Sequence, residues 1–191
     1  MMELKTDFTL DAKGLACPMP IVKTKKTIKD LEAGQVLEIQ ATDKGSKADL
    51  QAWAKSSGHQ YLGTIEENDV LKHYVRKAND DEDEQDKKHP NVVSNEDLES
   101  LRVGEDSLLL DVREAAEYAF EHIPEAHSIP LGELDGRIEE LDRSKNVYVV
   151  CRTGSRSDLA AQKLSDKGFE NVYNVVPGMS GWSGETTSLN Q

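Results

Sequence analysis

Apolar and polar residues alternate along the chain in two rhythms, one of period two and one close to 3.6. "DFTLDA" (7–12) and "QVLEIQA" (35–41) follow the first, the mark of strands with one buried face. From Pro18 to Glu32 the second takes over: Ile21, Ile28 and Leu31 share one helical side, and Gly34 stands just past the end as a stop. "SKADLQAWAKS" (46–56) reads as a second helix, ended by Gly58. "HQYLGTIEE" (59–67) and "VLKHYVRK" (70–77) are strands joined at Asn68-Asp69, a hairpin signature. The predicted order is βαβαββ, a two-layer α/β sandwich with both helices on one face of a small sheet.

Beyond residue 91 the rhythm changes. "SLLLDV" (107–112), "NVYVVC" (146–151) and "NVYNVV" (171–176) are near-continuous apolar runs, as in strands buried on both faces. Between them lie helical stretches: "SNEDLESL" (94–101) capped by Ser94, "EAAEYAF" (114–120), "LGELDGRIEEL" (131–141) and "SRSDLAAQKLSDKG" (155–168). This alternation predicts a parallel sheet with helices on both faces, a second α/β domain.

The boundary is marked by charge. The chain has 191 residues and a net charge of −13. Residues 1–78 hold 12 Lys/Arg against 11 Asp/Glu, residues 79–90 hold 2 against 6, and residues 91–191 hold 9 against 19. "KANDDEDEQDKKHPN" (77–91) has no apolar residue beyond Ala78 and reads as an acidic, extended, flexible linker. The expected organisation is therefore a first domain over 1–78, a linker over 79–90 and a second domain over 91–191. The acidic total argues against general nucleic-acid binding, because it offers little to neutralise phosphates. No apolar run reaches the length of a membrane span, and "MMELKTDFTLDAKG" lacks the apolar core of a secretion signal, so a cytoplasmic location is expected. The five histidines show no metal-ligand spacing, and neither a metal nor another cofactor is expected.

Two cysteines remain, too few for a disulfide framework. Cys151 ends a buried strand and opens the loop Cys151-Arg152-Thr153-Gly154-Ser155-Arg156. Ligands of parallel sheets bind beyond such carboxyl ends. Gly154 allows a tight turn, and Ser155 with Asp158 forms a capping-box pattern. Converging backbone N–H groups, a helix N-terminus and the charges of Arg152 and Arg156 favour an anionic sulfur at Cys151, a nucleophile for sulfur or phosphorus centres. Asp111 and Arg113 end a neighbouring strand near this loop, as pocket groups or as an ion pair that orders it.

"CRTGSR" resembles the active-site loop of the rhodanese sulfurtransferases. "LLLDVREAAEYAFEHIPEAHSIPL" (108–131) is similar to that family's Asp-Val-Arg strand end and His-Ile-Pro segment, and "VVPGMSGW" (175–182) to its Gly-Met-x-x-Trp stretch. Glu121 and Glu125 stand where glycines are usual, and Pro177-Gly178 replaces a double glycine. The related tyrosine phosphatases place arginine six positions after cysteine. Here Arg156 is five after, a smaller cradle suited to the single outer sulfur of a persulfide. The resemblance implies a rhodanese-type sulfurtransferase with a covalent Cys151 persulfide, loaded from thiosulfate, a polysulfide or a low-molecular-weight persulfide.

Cys17 precedes Pro18 at a helix start. Proline is favoured in the first turn, and Cys17 at the N-cap would have its thiolate stabilised by the helix dipole. Gly14-Leu15-Ala16-Cys17-Pro18-Met19-Pro20 resembles the signature of the TusA (SirA-like) sulfur carriers, and "ATDKGSKADL" (41–50) agrees. That resemblance implies a persulfide-carrying Cys17, a TusA–rhodanese fusion, and sulfur-relay proteins as partners. Cys17 then becomes a candidate acceptor for Cys151 in the same chain. A linker of about 12 residues can span 30 Å or more, roughly, and holds its ends at about millimolar effective concentration. The alternative is a rhodanese acting alone, with the first domain as a protein-binding or regulatory module. Lys23, Lys25, Lys26 and Lys29 near Cys17 are either a docking patch or a solvated helix face, and Trp182 reads as core.

Overall fold

The computed structural model describes residues 4–78, 87–101 and 103–189. The chain divides into two compact units, residues 1–80 and 81–191.

In the first unit β1 (Phe8–Ala12), β2 (Val36–Ala41), β3 (Gln60–Glu67) and β4 (Val70–Arg76) form a sheet in the order β1-β2-β4-β3. β1 and β2 are parallel and the other pairs antiparallel. The alternation does its expected work. Leu37, Ile39 and Val75 face Ile28, Leu31, Leu50, Trp53 and Ala54, which belong to helix α1 (Met19–Thr27) with its continuation and to α2 (Ser46–Ser56). Asn68 (φ 51°) and Asp69 (φ 63°) make the left-handed pair that a two-residue hairpin turn requires. The first helix is shorter than its sequence reading: it tightens into a 3₁₀ turn at Ile28–Asp30 before Gly34 (φ 90°).

In the second unit β5 (Val92–Ser94), β6 (Ser107–Asp111), β7 (His127–Ser128), β8 (Asn146–Val150) and β9 (Val172–Val176) form a parallel sheet, order β5-β9-β8-β6-β7. The helices are α3 (Asn95–Leu101), α4 (Ala115–Phe120), α5 (Leu134–Arg137) and α6 (Ser155–Asp166). Both faces of the sheet are covered. Val147, Val149 and Cys151 pack with Leu134, Ala160 and Leu164 on one side. Tyr148 and Val150 pack with Leu98, Ile123 and Val175 on the other. No helix among the described residues is long and apolar enough to cross a membrane.

Three readings change. The short edge strands β5 and β7 carry too few residues for a periodic signal. "LGELDGRIEEL" is broken into a 3₁₀ turn (Leu131–Glu133), one α turn (α5) and another 3₁₀ turn (Ile138–Glu140), because Gly132 and Gly136 each cost about 1 kcal/mol in a regular helix. The linker reading spans 79–90; residues 79–86 lie outside the described residues. Its last part is a docked strap. The Lys88 and His89 N–H groups donate to Asp158 (3.0 and 2.8 Å), and the His89 imidazole lies 2.7 Å from the Val172 carbonyl. Asp158 on α6 satisfies two amides that an extended tether would leave to water.

His73 on β4 is fully buried between Ser46 Oγ (2.8 Å) and the hydroxyls of Tyr61 and Thr64 (both 2.9 Å). Burial, with the Lys47 charge adding to it, pushes its pKa down to about 4 from the ordinary 6.5. The unfolded chain therefore binds this proton first, and the fold's preference for neutral His73 is present in full above pH 6.5 and lost as pH falls toward 4. Denaturant midpoints between pH 7.5 and 4.5 should drop more steeply for the wild type than for a His73→Gln variant. Parallel profiles would remove His73 as the cause.

Candidate functional site

Cys151 is fully buried at the carboxyl end of β8, where the chain must turn into α6. Gly154 makes that turn with φ 93°, and a Cβ there would come within 3.0 Å of Val176 and 3.2 Å of the Lys87 stem. Its N–H donates to Cys151 Sγ at 3.1 Å, and Ser157 Oγ lies 3.2 Å from the same sulfur. Asn174, polar in the middle of β9, holds the arrangement: its Nδ2 donates to the Gly154 carbonyl (3.1 Å), which turns Oδ1 toward the Ser157 hydroxyl (2.6 Å). Ser157 has one proton to give. With that proton on Asn174, the hydroxyl can only accept from a Cys151 thiol. Opposite an anionic sulfur the proton can turn to the sulfur instead.

A second clamp closes from the 178–180 turn. Met179 and Ser180 N–H donate to the carbonyls of Cys151 and Arg152, each at 2.8 Å. Gly178 (φ 87°) permits this approach, since a Cβ on it would sit 2.4 Å from the Cys151 carbonyl oxygen. Asn95 holds Gly178 through both amide groups, donating to its carbonyl (2.9 Å) and accepting its N–H (3.2 Å).

The arginines are placed differently from the sequence expectation. Arg156, 9% exposed, makes a two-pronged pair with buried Glu117 (2.7 and 3.0 Å), so its charge anchors the loop to α4. Arg113 grips Asp111 (Nη2 to Oδ2, 2.7 Å) and the Glu121 carbonyl (2.7 Å), a buried ion pair that ties the end of β6 to the end of α4. Arg152 and Thr153 lie half-buried on the loop, with Thr153 Oγ1 3.4 Å from Ser155 Oγ. The capping box expected at Ser155 and Asp158 is absent. Gly154 is the cap residue, Ser155 is the first helical residue, and Asp158 is committed to the strap at 88–89 and to Gln162. A capping box does form at α4, between Glu114 and Glu117. Ser157, Asn174 and Glu117 were not singled out from the sequence. The polar residue inside "NVYNVV" was the one visible signal.

Cys17 is exposed and lies one residue before the cap of α1, which is Pro18; the Cys17–Pro18 bond is cis. Its N–H donates to Asp43 (3.1 Å), and its thiol donates to Asp49 Oδ2 at 3.1 Å. The Asp49 hydrogen bond, followed by small desolvation and the charges of Asp49 and Asp43, pushes the thiol pKa up from its ordinary value. The expected thiolate stabilisation by the helix is thereby overturned. A carboxylate at hydrogen-bond distance outweighs the half-charge of a nine-residue helix whose cap lies one residue further on. The α1 surface exposes Met19 and Val22 together with Lys23, Lys25 and Lys26, and exposed Lys29 follows in the 3₁₀ turn. Trp182 packs on the α3 side of the sheet, as expected for core.

Comparison with known proteins places each of the two domains in a family. The family model described as sulfurtransferase TusA matches residues 8–77, and the rhodanese-like domain model matches residues 94–185. A sulfur-carrier fold and a rhodanese fold thus follow one another in a single chain. The Bacillus subtilis protein YrkF is 50% identical over 183 residues, covering 96% of this chain and 99% of that protein. The chain belongs to the TusA–rhodanese fusion family and is a sulfurtransferase. Shorter relatives match one half each. The sulfur carrier protein TusA of Allochromatium vinosum is 42% identical over 72 residues (38% of this chain, 95% of that protein). The Bacillus subtilis protein YtwF is 39% identical over 92 residues (48% and 88%).

Ser157→Ala should slow persulfide formation at Cys151 about tenfold, the effect of about 1.4 kcal/mol in the barrier, while Ser157→Thr keeps most of the rate. Rapid-quench mass spectrometry after mixing with thiosulfate measures it. An unchanged rate in the alanine variant would show that the hydroxyl only fills space.

Proposed function

We propose that Cys151 takes a sulfane sulfur from a small donor, namely thiosulfate, a polysulfide or a low-molecular-weight persulfide, and that Cys17 shares that sulfur with it in a relay. The observation that carries this reading is the sulfur of Cys151, fixed at a strand end with the Gly154 N–H and the Ser157 hydroxyl directed at it. With thiosulfate, the Cys151 thiolate attacks the outer sulfur. A new S–S bond forms, the old one breaks, and sulfite leaves with its electron pair. The resulting persulfide anion meets the same donors, which are already in place and need no reorganisation. Full burial of Cys151 suits a single added sulfur atom better than a bulky group. An acceptor thiolate, or cyanide in an assay, then attacks the outer sulfur and restores Cys151.

A second reading gives the first domain a docking role alone. The exposed Met19 and Val22 among the lysines of α1 favour it, since that surface fits an acidic partner protein. The two readings differ in what they require of Cys17: the relay needs a persulfide there, and docking does not.

Cys151→Ser should abolish thiosulfate:cyanide transfer, and Cys17→Ser should leave it close to wild type. Intact-mass analysis after thiosulfate loading should show added sulfur on both cysteines of the wild type. Full transfer by the Cys151→Ser chain would end the assignment. Absence of sulfur on Cys17 under every load would leave the docking reading.

A further inference from the structure

The two cysteines sit in opposite electrostatic settings. Cys17 Sγ is 3.1 Å from Asp49 Oδ2, and Asp43 accepts the Cys17 N–H at 3.1 Å. Two carboxylates therefore crowd this sulfur, and the groups that act on its proton are those two acids and a slight desolvation. Cys151 Sγ is met by the Gly154 N–H and Ser157 Oγ at the start of twelve-residue α6. The nearby acids Asp111 and Glu117 are tied to Arg113 and Arg156. The amide and the hydroxyl are aimed at the Cys151 sulfur itself, which lies at the positive end of α6. The Cys17 sulfur instead meets a carboxylate in hydrogen-bond contact.

We infer that sulfane sulfur runs downhill from Cys17 to Cys151, so that the carrier domain loads the rhodanese domain. This rests on the relay reading above. A persulfide anion on Cys17 would lie beside the Asp49 and Asp43 carboxylates, so the site is a poor resting place for that charge, and the protonated persulfide is the electrophile. The Cys151 thiolate attacks its outer sulfur. The bond from that sulfur to Cys151 Sγ forms, the bond to Cys17 Sγ breaks, and the electron pair stays on Cys17. The proton of the outer sulfur passes through solvent to Cys17, whose thiol returns to its hydrogen bond with Asp49. The products are a Cys151 persulfide anion and a neutral Cys17 thiol. Atoms and charge balance, and no external oxidant or reductant takes part.

The chemical class of supplier follows. The reaction before this protein must hand a sulfane sulfur to an exposed cysteine at the start of a helix that shows lysines and apolar residues, as a protein persulfide can. The reaction after it must collect sulfur from a buried, loop-held persulfide with a small nucleophile or a slender acceptor thiol.

The test uses the full-length chain. Half an equivalent of polysulfide sulfur is added, the sample is left to equilibrate and alkylated, and persulfide is counted on each cysteine by peptide mass spectrometry. The wild type should hold clearly more on Cys151 than on Cys17. Asp49→Asn, which keeps the shape and removes the charge, should cut that ratio several-fold, and Asp43→Asn should cut it less. An equal or reversed ratio in the wild type, or no change in Asp49→Asn, would overturn the direction. A mixing arm separates this from failure of the relay itself. Persulfide-loaded Cys151→Ser chain is mixed with unloaded Cys17→Ser chain, and the reverse. Transfer in neither mixture, together with none between the two cysteines of the wild-type chain, would defeat the relay and the direction with it. Transfer that favours Cys17 as acceptor would defeat the direction alone.

Discussion

The second domain is organised around one requirement: a sulfur atom must be held at the end of a buried strand with hydrogen-bond donors directed at it. β8 supplies the place, because Val147 and Val149 are locked in one core and Tyr148 and Val150 in the other, leaving the strand no freedom to slide. Gly154 supplies the turn, Asn174 holds its carbonyl, and Glu117 holds Arg156 at the far side of the loop. Each of these supports is a buried polar group with its partner in place, and removing one partner would leave the other unmet at a cost of about 1–3 kcal/mol. The same supports that stabilise the fold therefore fix the chemistry.

The first domain presents the opposite arrangement. Its cysteine is on the surface, on a proline-bounded turn, and the groups nearest it are carboxylates. Exposure leaves it open to solvent, and the carboxylates push its thiol pKa up. One chain thus joins a sulfur that is easy to reach with a sulfur that is well held. The two properties conflict within a single site, since the groups that hold a sulfur also enclose it.

Much of this was legible in the sequence. The strict alternation of β2 and the apolar runs of β6, β8 and β9 reported their faces and burial, and the two cysteine motifs marked the two candidate sites. What escaped depended on partners distant in the chain. Asp158 reads locally as a capping residue, yet it accepts two N–H groups from residues 88 and 89. Arg156 reads as a free cation for the loop until Glu117, 39 positions away, takes it. Cys17 reads as a helix-activated thiol until α2 brings Asp49 against it from 32 positions away. Local patterns reveal periodicity and turn chemistry. Which charge meets which is decided by the topology.

The account stands on sulfur moving within one chain, and its kinetic order tests that directly. Wild-type protein carrying a single sulfane sulfur on Cys17 would be diluted over a hundred-fold range, and the approach to equilibrium between the two cysteines followed by rapid alkylation. Transfer within one chain proceeds with a first-order rate constant that dilution does not change. A rate that falls in proportion to protein concentration would mean that sulfur passes only between molecules, and would contradict the relay.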